Sequence, residues 1–338
     1  MIEEHISLKP YTTFGIGGPA EFFVSVDSVE KLKEAVSWAN TYGHPITILG
    51  GGSNVLVADE GVQGLVIVNE IKNTTYKEDE DDVLVEAGGG HIFDLLVAEA
   101  ASRDLWGLEN LSAIPGTVGA SPIQNIGAYG TEVSSCIEKV FAYDSVKEIE
   151  KVFTNKECAF AYRDSFFKKP EGKKYIVTSV VYRLSKKGTP NCSYKDLKNY
   201  FGEKKPTLSE VRSAVIDIRS KKFPDWTKEG TAGSFFKNPI VTEATYSALQ
   251  EKYPEIPGFF TEKGDVKIPL GWILDVVLKL KGTTNKLGTV GTYQKQALVI
   301  VNKNGATKKD VDMFAEEVVQ KVFDATGITV EREVTDIT

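Results

Sequence analysis

Histidine and cysteine are scarce in this chain of 338 residues. The three histidines are His5, His44 and His91, so none lies in the last two thirds of the sequence. A zinc site or a serine–histidine triad needs an imidazole beside other reactive groups, so both classes are disfavoured and we expect no metal. The three cysteines have no CxxC spacing and are typical of a reducing cytoplasm, where we place the protein.

Long apolar runs, a leader and a basic charge excess are absent as well. The longest apolar runs have the length of a strand, so we expect no transmembrane span. The start, Met-Ile-Glu-Glu, lacks the features of a secretory leader. Three matches to the glycosylation pattern, at Asn73, Asn110 and Asn191, therefore have no meaning in that compartment. The net charge of −7 argues against nucleic-acid and membrane partners, and an anionic small molecule would need a local cluster of Lys and Arg.

The usual nucleotide-binding motifs are also missing. No GxxxxGK[ST] occurs, and Gly50-Gly-Gly-Ser-Asn54 follows a strand without the GxGxxG spacing and without opening a helix. A standard Rossmann or P-loop site is therefore disfavoured. The alternative to a plain tight turn is a turn that cradles phosphate, and Ser53 and Asn54 favour the second.

The periodicity of apolar residues predicts an α+β fold, with hairpins mixed among the helices. Strands are predicted at 20–26, 45–49, 55–57, 65–68, 83–87, 139–143, 175–184, 297–302 and 328–334. Helices are predicted after the caps Ser28, Ser209 and Thr307, after a strand near Ile92, from Asn155, at 243–253, and as a core helix through Trp272, Leu274 and Leu278. The stretch 77–82 is predicted to be a solvated loop, and 223–233 a linker between domains.

The stretch Ile114–Gly130 is rich in glycine, contains two prolines and has no charged residue. Glycine allows close backbone approach to a ligand, and proline stiffens the run. A plain surface loop usually carries Lys, Asp or Glu, so we favour a binding loop for a large, flat, partly anionic cofactor.

Three positions carry candidate chemistry, and each has a structural alternative. Arg163 lies in an aromatic-rich turn and could bind a carboxylate, or could pair with the adjacent aspartate. Ser234 lies in a bend of small residues and could donate a proton or cap an element. Glu331 and Glu333 are expected to share one face of a closing strand, where glutamates are usually solvated.

Six motifs, spread in order from residue 8 to residue 334, together resemble one family. They are Leu8-Lys-Pro-Tyr-x-Thr-Phe-Gly-Ile, Leu49-Gly-x-Gly-Ser-Asn-Val-Leu, Ile114-Pro-Gly-x-Val-Gly-Ala-x-Pro-Ile-Gln-Asn-Ile-Gly-Ala-Tyr-Gly, Tyr162-Arg-Asp-Ser-x-Phe-Lys, Ala232-Gly-Ser-Phe-Phe-Lys-Asn-Pro and Glu331-x-Glu-Val. The chain resembles UDP-N-acetylenolpyruvoylglucosamine reductase, a flavoenzyme of peptidoglycan precursor synthesis. The segment Tyr194-Lys-Asp-Leu resembles the subtype with a tyrosine-bearing substrate loop.

The resemblance implies an FAD-binding region of two α+β subdomains, of the vanillyl-alcohol-oxidase type, followed by a substrate domain. The expected bounds are 1–68 and 69–222 for the two subdomains, 223–330 for the substrate domain, and 331–338 for a strand that returns to the active site. Non-covalent FAD is expected at Gly50, Gly51, Gly52, Ser53, Asn54, Val55, Leu56, Ile114, Pro115, Gly116, Gly119, Ala120, Ser121, Gln124, Asn125, Gly127, Ala128 and Tyr129.

The implied reaction is the NADPH-dependent reduction of UDP-N-acetylglucosamine enolpyruvate to UDP-N-acetylmuramate, with a hydride passing from flavin N5 to the substrate. Arg163 matches the family's arginine at the substrate carboxylate, Glu333 the neighbouring acid, and Ser234 the proton donor. The substrate is expected to contact Tyr129, Tyr194, Lys222, Asn238, Lys281 and Gln296. We expect a monomer.

Two departures from the family pattern affect the substrate side. Tyr293 stands where the family usually has histidine, and the loop between Lys281 and Gln296 is slightly longer. Two other functions stay open: a different flavin oxidase on the same fold, and a non-catalytic sensor of flavin or nucleotide sugar. Oxidases of that kind often link a histidine to the flavin, and here only His91 is near the predicted flavin loops.

Overall fold

A computed structural model describes residues 1–338 and divides the chain into two compact units. Unit 1 comprises Met1–Ile6, Ala20–Gly52 and Val62–Ser220, and unit 2 comprises Ser7–Pro19, Ser53–Gly61 and Lys221–Thr338.

The chain forms strands and helices in alternating short groups. The strands are β1 (Glu3–Ser7), β2 (Pro19–Val26), β3 (Ile46–Leu49), β4 (Val55–Val57), β5 (Val62–Asn69), β6 (Thr74–Asp79), β7 (Asp82–Gly88), β8 (Gly127–Ala128), β9 (Thr131–Glu132), β10 (Ile137–Asp144), β11 (Ile149–Thr154), β12 (Tyr175–Ser185), β13 (Gly230–Ser234), β14 (Ile240–Val241), β15 (Phe259–Phe260), β16 (Val266–Lys267), β17 (Val290–Tyr293), β18 (Gln296–Asn302) and β19 (Thr335–Ile337). The helices are α1 (Val29–Tyr42), α2 (Phe93–Ser102), α3 (Lys195–Phe201), α4 (Leu208–Lys222), α5 (Glu243–Lys252), α6 (Leu270–Trp272) and α7 (Lys308–Thr326).

Unit 1 contains two large sheets and the two-stranded sheet β8-β9. The first has the order β1-β2-β5-β3, and β2, β5 and β3 run parallel. Helix α1 connects β2 to β3: the Ser28 hydroxyl accepts a bond from the Lys31 amide, and Gly43 ends the helix with a left-handed φ of 72°. The apolar face of α1, including Leu32 and Val36, packs on this sheet.

The second sheet of unit 1 is antiparallel, with the order β11-β10-β12-β7-β6. Its central strand β12 is buried along nearly its whole length, as its run of Ile, Val and Tyr predicts. Helix α2 packs on the same core through Phe93, Leu96 and Val97. The end of β7 and the middle of β12 support the loop Ile114–Gly130 described below.

Unit 2 is built around a sheet of order β13-β18-β17. Leu298 and Ile300 of β18 point into a core with α7, whereas Val299 and Val301 lie on the opposite face. Strand β19, the last of the chain, runs parallel to β4. The two faces of β18 therefore pack against different residues, and only one of them faces the core formed with α7.

The predicted strands at 20–26, 45–49, 55–57, 65–68, 83–87, 139–143, 175–184 and 297–302 are confirmed to within three residues. The predicted helices after Ser28 and Thr307, after Ile92 and at 243–253 are confirmed as well. These elements have strong periodicity or clear caps, which are local signals.

The helix predicted from Asn155 is wrong, since residues 155–159 form turns. The Glu157 carboxylate accepts bonds of 2.9 and 2.7 Å from the amide and hydroxyl of Thr154. Such side-chain bonds to nearby main chain compete with helix formation.

The stretch 77–82, predicted to be the solvated, acidic tip of a hairpin, does contain a hairpin tip, but the prediction made it too long. Strand β6 runs through Asp79 and β7 starts at Asp82, which leaves a tip of only two residues, Glu80 and Asp81. The unpredicted strand β11 is, like β6, an edge strand. Edge strands carry many polar side chains, so their sequences resemble those of loops.

The predicted start of α4 and the predicted closing strand are also wrong. Ser209 lies inside α4, and Thr207 caps the helix instead: its hydroxyl accepts from the Glu210 amide at 3.3 Å, and Glu210 accepts from the Thr207 amide at 2.8 Å. The closing strand predicted at 328–334 is not regular. Only Arg332 forms a bridge there, with Phe236, and the true strand is β19.

No helix of the structure combines the length and the apolar character that a membrane crossing requires.

Replacing Thr307 by alanine should destabilise the protein. The Thr307 hydroxyl accepts from the Asp310 amide, and Asp310 accepts from the Thr307 amide at 3.0 Å, so the variant loses the capping box of α7. We expect a loss of about 1 kcal/mol, measured as a lower urea midpoint in far-UV circular dichroism.

The exposed neighbour Lys309 is the matched control, and Lys309→Ala should change stability by less than about 0.5 kcal/mol. Equal effects of the two variants would contradict the capping role.

Candidate active site

Two glycine-rich turns of unit 1 lie against each other. A Cβ atom built on Gly51 would lie 2.9 Å from the Cα of Gly116, and one on Gly50 would lie 2.5 Å from Thr117 Oγ1. Side chains cannot approach so closely, so both positions require glycine. The structure thus brings together the two loops predicted to hold FAD. We call their contact, between Gly50–Gly51 and Gly116–Thr117, the glycine junction.

The loop Ile114–Gly130 is pinned to the end of β7. The Val118 amide donates to the His91 carbonyl at 2.9 Å, and the Gly119 amide donates to the Gly89 carbonyl at 2.8 Å. A Cβ on Gly119 would lie 3.0 Å from the Gly89 Cα. The loop is therefore a rigid part of the sheet's end, as its prolines and glycines predicted.

Two polar side chains of this loop stabilise the loop itself. Ser121 Oγ lies 2.8 Å from both Tyr182 Oη and the Val118 carbonyl. Asn125, fully buried, donates to the Glu132 carboxylate at 2.8 Å. The assignment of Ser121 and Asn125 to FAD stays a prediction, and their side chains have a structural role in addition.

Arg163 occupies a tight turn. Ala161 and Asp164 exchange two backbone hydrogen bonds, of 3.0 and 3.1 Å, around it. The Asp164 carboxylate pairs with Lys169, whereas Arg163 donates from Nη2 to the Gly127 carbonyl at 2.9 Å.

The arginine turn is fastened to the glycine loop at two further points. The Asn125 amide donates to the Ala161 carbonyl at 3.0 Å, and the Ser165 hydroxyl donates to the Ile123 carbonyl at 2.6 Å. Together with the bond from Arg163, these contacts hold the turn and the loop in a fixed relative position.

Four non-glycine residues of this region have a left-handed backbone, as do six others in the chain. Ala113, Asn125, Tyr129 and Arg163 have φ values of 57°, 45°, 49° and 52°. Non-glycine residues rarely adopt this conformation, and where they do, the surroundings enforce it and the position is often functional.

A second arginine of unit 1 lies near Arg163. Arg219 donates from Nε to the Ala113 carbonyl at 3.2 Å. Burial lowers the pKa of Arg219, and the charge of Arg163 lowers it further. Burial also raises the pKa of Tyr129 to about 12, so the Tyr129 hydroxyl stays protonated. This is the local positive cluster that an acidic chain needs to bind an anion.

Tyr129 and Tyr194 meet edge to face, with their ring centroids 5.4 Å apart. Tyr194 is 44% exposed and lies at the start of α3, which packs on α4 through the buried Leu197. The segment predicted as a loop therefore ends in a short anchored helix, which leaves the Tyr194 ring at the surface.

In unit 2, Ser234 ends β13 at an irregular point of the sheet. It pairs with Val299 after a register shift, and Gly233 before it has a φ of 78°. Paired residues point to the same face, so Ser234 lies on the face of β18 opposite the core. The serine is half-buried there.

Glu333 is held beside this serine. Its amide donates to the Phe235 carbonyl at 2.9 Å, and its carbonyl accepts from Asn54 Nδ2 at 3.1 Å. Asn54, predicted to contact FAD, thus also positions the candidate acid. Glu331 is exposed and pairs with Lys237.

The neighbouring Arg332 anchors this segment to α7. Burial alone would raise the pKa of Asp312, but hydrogen bonds from Lys308 and Arg332 outweigh it and lower the pKa of Asp312 below its usual value. Asp312 is therefore ionised and holds Arg332, which fixes the backbone that carries Glu333.

Two predicted substrate residues lie at the start of α6. Asn238 Oδ1 accepts from the Leu270 amide at 2.9 Å. The Gln296 side chain lies over Gly271, where a Cβ would come within 3.3 Å of Gln296 Oε1. The structure brings these two residues together.

Lys281 reaches the same region through Asp275. Its Nζ lies 2.8 Å from the Asp275 carboxylate, which also accepts from the Ala297 amide at 3.1 Å. The core helix predicted through Trp272 and Leu278 is wrong in form: α6 is short and continues as a wider π-helical segment, Ile273–Val277. The half-buried Asp275, which forms the ion pair with Lys281, lies in this π-helical segment.

Lys222 ends α4, and the residue after it packs on the outer face of β17 and β18. Phe223 contacts a cluster of Tyr293, Val299 and Val301. Because Ser234 pairs with Val299, Lys222 and Ser234 border the same face of this sheet. Tyr293, which departs from the family pattern, is 7% exposed and forms part of the floor under Phe223.

The predicted residues divide between the units. Unit 1 holds Gly50–Gly52, Ile114–Gly130, Arg163 and Tyr194, and unit 2 holds Ser53–Leu56, Lys222, Ser234, Asn238, Lys281, Gln296 and Glu333. Within each unit the predicted residues are neighbours. Sequence patterns did not single out Arg219 or Asp275, because a basic residue near a helix end and an acid in a helix have ordinary local explanations.

No group of three or more His, Cys, Asp or Glu side chains could hold a metal ion.

Comparison with known proteins identifies the family. A sequence model of an FAD binding domain matches residues 20–150, and one of the C-terminal domain of UDP-N-acetylenolpyruvoylglucosamine reductase matches residues 225–337. The reductase of that name from Flavobacterium johnsoniae is 40% identical over 340 aligned positions, which cover 98% of each chain. The chain belongs to the UDP-N-acetylenolpyruvoylglucosamine reductase family.

Other members of the family agree with this assignment. The Escherichia coli reductase is 39% identical, covering 97% of this chain and 94% of its own. The crystal structure of the Thermus caldophilus reductase has a TM-score of 0.68 at 28% identity, with 100% of both chains covered. The family, the α+β fold and FAD as cofactor, all predicted from the sequence, are confirmed, and the chain is an oxidoreductase.

The residues present fit FAD. At the glycine junction the backbone of one loop lies directly against the other loop, and the loop Ile114–Gly130 carries no charge. These features suit the close approach of a flat, uncharged ring system to backbone groups.

Gly51→Ala should impair FAD retention. Its Cβ would collide with the backbone at Gly116, so the two loops must separate. We expect purified wild-type protein to be yellow and the variant to hold well under half as much flavin per chain, measured by absorbance after release with acid.

Gly43→Ala provides the control, because its Cβ would meet nothing within 4 Å. It should cost about 1 kcal/mol of stability through its left-handed backbone and leave flavin content unchanged. A yellow Gly51→Ala protein with full flavin content would contradict the role of the glycine junction.

Proposed function

We propose that this chain reduces UDP-N-acetylglucosamine enolpyruvate to UDP-N-acetylmuramate, with non-covalent FAD and with NADPH as the source of electrons. The observation that carries the proposal is the fastening of Arg163 to the glycine loop, by Arg163 itself, Asn125 and Ser165. It couples a candidate carboxylate-binding group to the cofactor loop.

Gly50–Leu56 and Ile114–Tyr129 would hold FAD. When bound, FAD supplies the hydride that is added to the methylene carbon of the enolpyruvyl group. The reaction also consumes one proton, at the carbon next to the carboxylate, so that the C=C double bond becomes a single bond between CH₃ and CH. The chain's own residues have to stabilise charge on the carboxylate and deliver that proton.

Arg163 stabilises the charge. Hydride addition moves negative charge toward the substrate carboxylate, and a preorganised guanidinium is most effective when it does not have to move. The closed turn and the bond to Gly127 hold Arg163 in place at the cost of a strained φ of 52°.

Ser234 donates the proton. A neutral hydroxyl is a weak acid, so it acts because the carbon it protonates is strongly basic. Its position at the register shift of β13 turns its hydroxyl toward the outer face of the sheet. Glu333, held by Phe235 and Asn54, polarises the carboxylate of the same substrate.

The remaining residues bind the UDP part. Lys222 and Lys281 suit the diphosphate, Asn238 and Gln296 offer neutral hydrogen-bonding groups, and Tyr129 and Tyr194 border the site in unit 1. Arg219 adds positive charge near Arg163. These assignments rest on family motifs, and the neighbourhoods found within each unit support them.

Two other functions are less well supported. A flavin oxidase with a covalent histidine would use His91, but that imidazole is directed at Glu99, 3.4 Å away, from a mostly buried position. A non-catalytic sensor would not need an arginine in a strained, triply fastened turn.

We place the protein in the cytoplasm, as a monomer. Three free cysteines, two of them buried, are compatible with a reducing compartment. Size-exclusion chromatography with light scattering would test the monomer, with a mass near 37.1 kDa expected.

Ser234→Ala tests the proposed reaction. We expect anaerobic reduction of the flavin by NADPH to stay within about twofold, and reoxidation by the enolpyruvyl substrate to slow by at least about 100-fold, because a general acid contributes that much. Stopped-flow absorbance of the two half-reactions measures both.

Ser247→Ala, on the exposed side of α5, is the control and should leave both half-reactions unchanged. If Ser234→Ala slowed both half-reactions equally, Ser234 would not be the proton donor. If wild-type protein did not turn over the substrate at all, the proposed function would fail.

Lys222→Ala should mainly weaken substrate binding. Loss of a charge-assisted hydrogen bond to the diphosphate raises the KM by about 10- to 100-fold, with kcat changed far less. Lys228→Ala is the control, since Lys228 is 81% exposed and pairs with Asp225. An unchanged KM in Lys222→Ala would remove this residue from the diphosphate site.

A further inference from the structure

Asn110 is a buried asparagine that none of the roles above uses. It lies in a short 3-10 turn, Glu109–Leu111, and is 1% exposed. Its match to the glycosylation pattern has no chemical meaning at a buried position. The side chain points instead at two segments that border the predicted substrate side of unit 1.

One amide group of Asn110 holds both segments. Its Nδ2 donates to the Tyr129 carbonyl at 2.9 Å and to the Asn191 carbonyl at 2.8 Å. Both partners are acceptors, so the NH₂ group must face them and the orientation of the amide is fixed. Its Oδ1 is buried without a hydrogen-bond partner, which is a cost that a purely structural residue would be expected to avoid.

The same two segments are joined from the other side. Asn191 donates from Nδ2 to the Gly130 carbonyl at 3.2 Å, and its Oδ1 accepts from the Ser193 hydroxyl at 2.7 Å. The chain just before Tyr194 is therefore joined to Gly130 directly, through the Asn191 side chain, and to Tyr129 indirectly, through Asn110.

Tyr129 needs such support. Its φ of 49° is unfavourable for an aromatic residue, so its backbone must be held by its surroundings. Its ring contacts the Tyr194 ring at 5.4 Å, and the Tyr194 ring is otherwise well exposed. The relative position of the two rings therefore depends on how the two backbones are joined.

We propose that Asn110 is a positioning residue for substrate binding: its amide fixes the strained backbone of Tyr129 to the base of the Tyr194 segment and so holds the two tyrosines together. The inference rests on the proposed function in assigning both tyrosines to the substrate. Asn110 itself touches no substrate.

Asn110→Ala and Asn110→Asp test the proposal in the FAD-loaded protein. Both variants remove the two donated bonds, and we expect the KM for UDP-N-acetylglucosamine enolpyruvate to rise about 10-fold, with kcat within about threefold. Asn155→Ala is the matched control, because Asn155 also donates to two main-chain carbonyls, of Ser134 and Ile137, at 2.8 and 2.7 Å. It should leave the KM unchanged.

A double-variant cycle separates positioning from general stability. If Asn110 acts through Tyr194, Asn110→Ala should raise the KM by less than about twofold in a Tyr194→Ala background. Independent, multiplying effects of the two substitutions would overturn the proposal, as would an unchanged KM in Asn110→Ala or an equal rise in Asn155→Ala.

Hydrogen exchange without substrate keeps the test independent of the reaction. Amides of residues 191–201 should exchange at least about 10-fold faster in Asn110→Ala than in wild type, and unchanged exchange would overturn the proposal. Should Asn110→Ala lose FAD or fail to fold, Asn110→Ser, which keeps one small donor, should show the same changes to a smaller degree, and its lack of any change would overturn the proposal. Faster exchange in a protein whose wild type does not turn over the substrate would leave the positioning intact and refute only the proposed function.

Discussion

The hydrogen bonds between the arginine turn and the glycine loop are the constraint on which unit 1 depends. Arg163, Asn125 and Ser165 each join the two segments by one side-chain bond to a main-chain carbonyl. A loop so rich in glycine would lose much conformational entropy on ordering, and these bonds, with the two prolines, offset that loss. The result is a cofactor loop whose shape and whose neighbouring cation are determined together.

In unit 2, main-chain contacts hold the candidate residues in place. Ser234 and Glu333 lie far apart in sequence. Ser234 is at the irregular end of β13, and Glu333 is in the extended segment before β19, whose backbone bonds to Phe235. Asn54 completes the arrangement through a bond to Glu333 that spans 279 residues. The contacts that hold these two residues in place are made by their main chain.

Strain and unsatisfied polar groups occur where the chemistry is expected. Tyr129 and Arg163 have left-handed backbones, and Asn110 buries an unpartnered oxygen beside them. A protein optimised only for stability would relieve such features, since each costs about 1–3 kcal/mol. Similar features also occur elsewhere in the chain, so they accompany the candidate site and do not locate it.

Local features were predictable from the sequence, and features that depend on distant residues were not. Caps such as Ser28 and Thr307, the buried strand β12 and the rigidity of the loop Ile114–Gly130 were predictable because capping, periodicity and the effects of proline and glycine involve neighbouring residues. The ordered family motifs added the identity of the cofactor. Edge strands β6 and β11 were missed because polar edges look like loops.

The tertiary structure alone decided which partners the polar side chains choose. Arg219 donates to the Ala113 carbonyl, and Asn54 donates to the Glu333 carbonyl. Each choice depends on which segments the fold brings within about 3 Å, and a hydrogen bond across more than a hundred residues leaves no periodic trace in the sequence. The sequence shows which residue types are available for the proposed reaction, but their arrangement in space is a property of the folded chain.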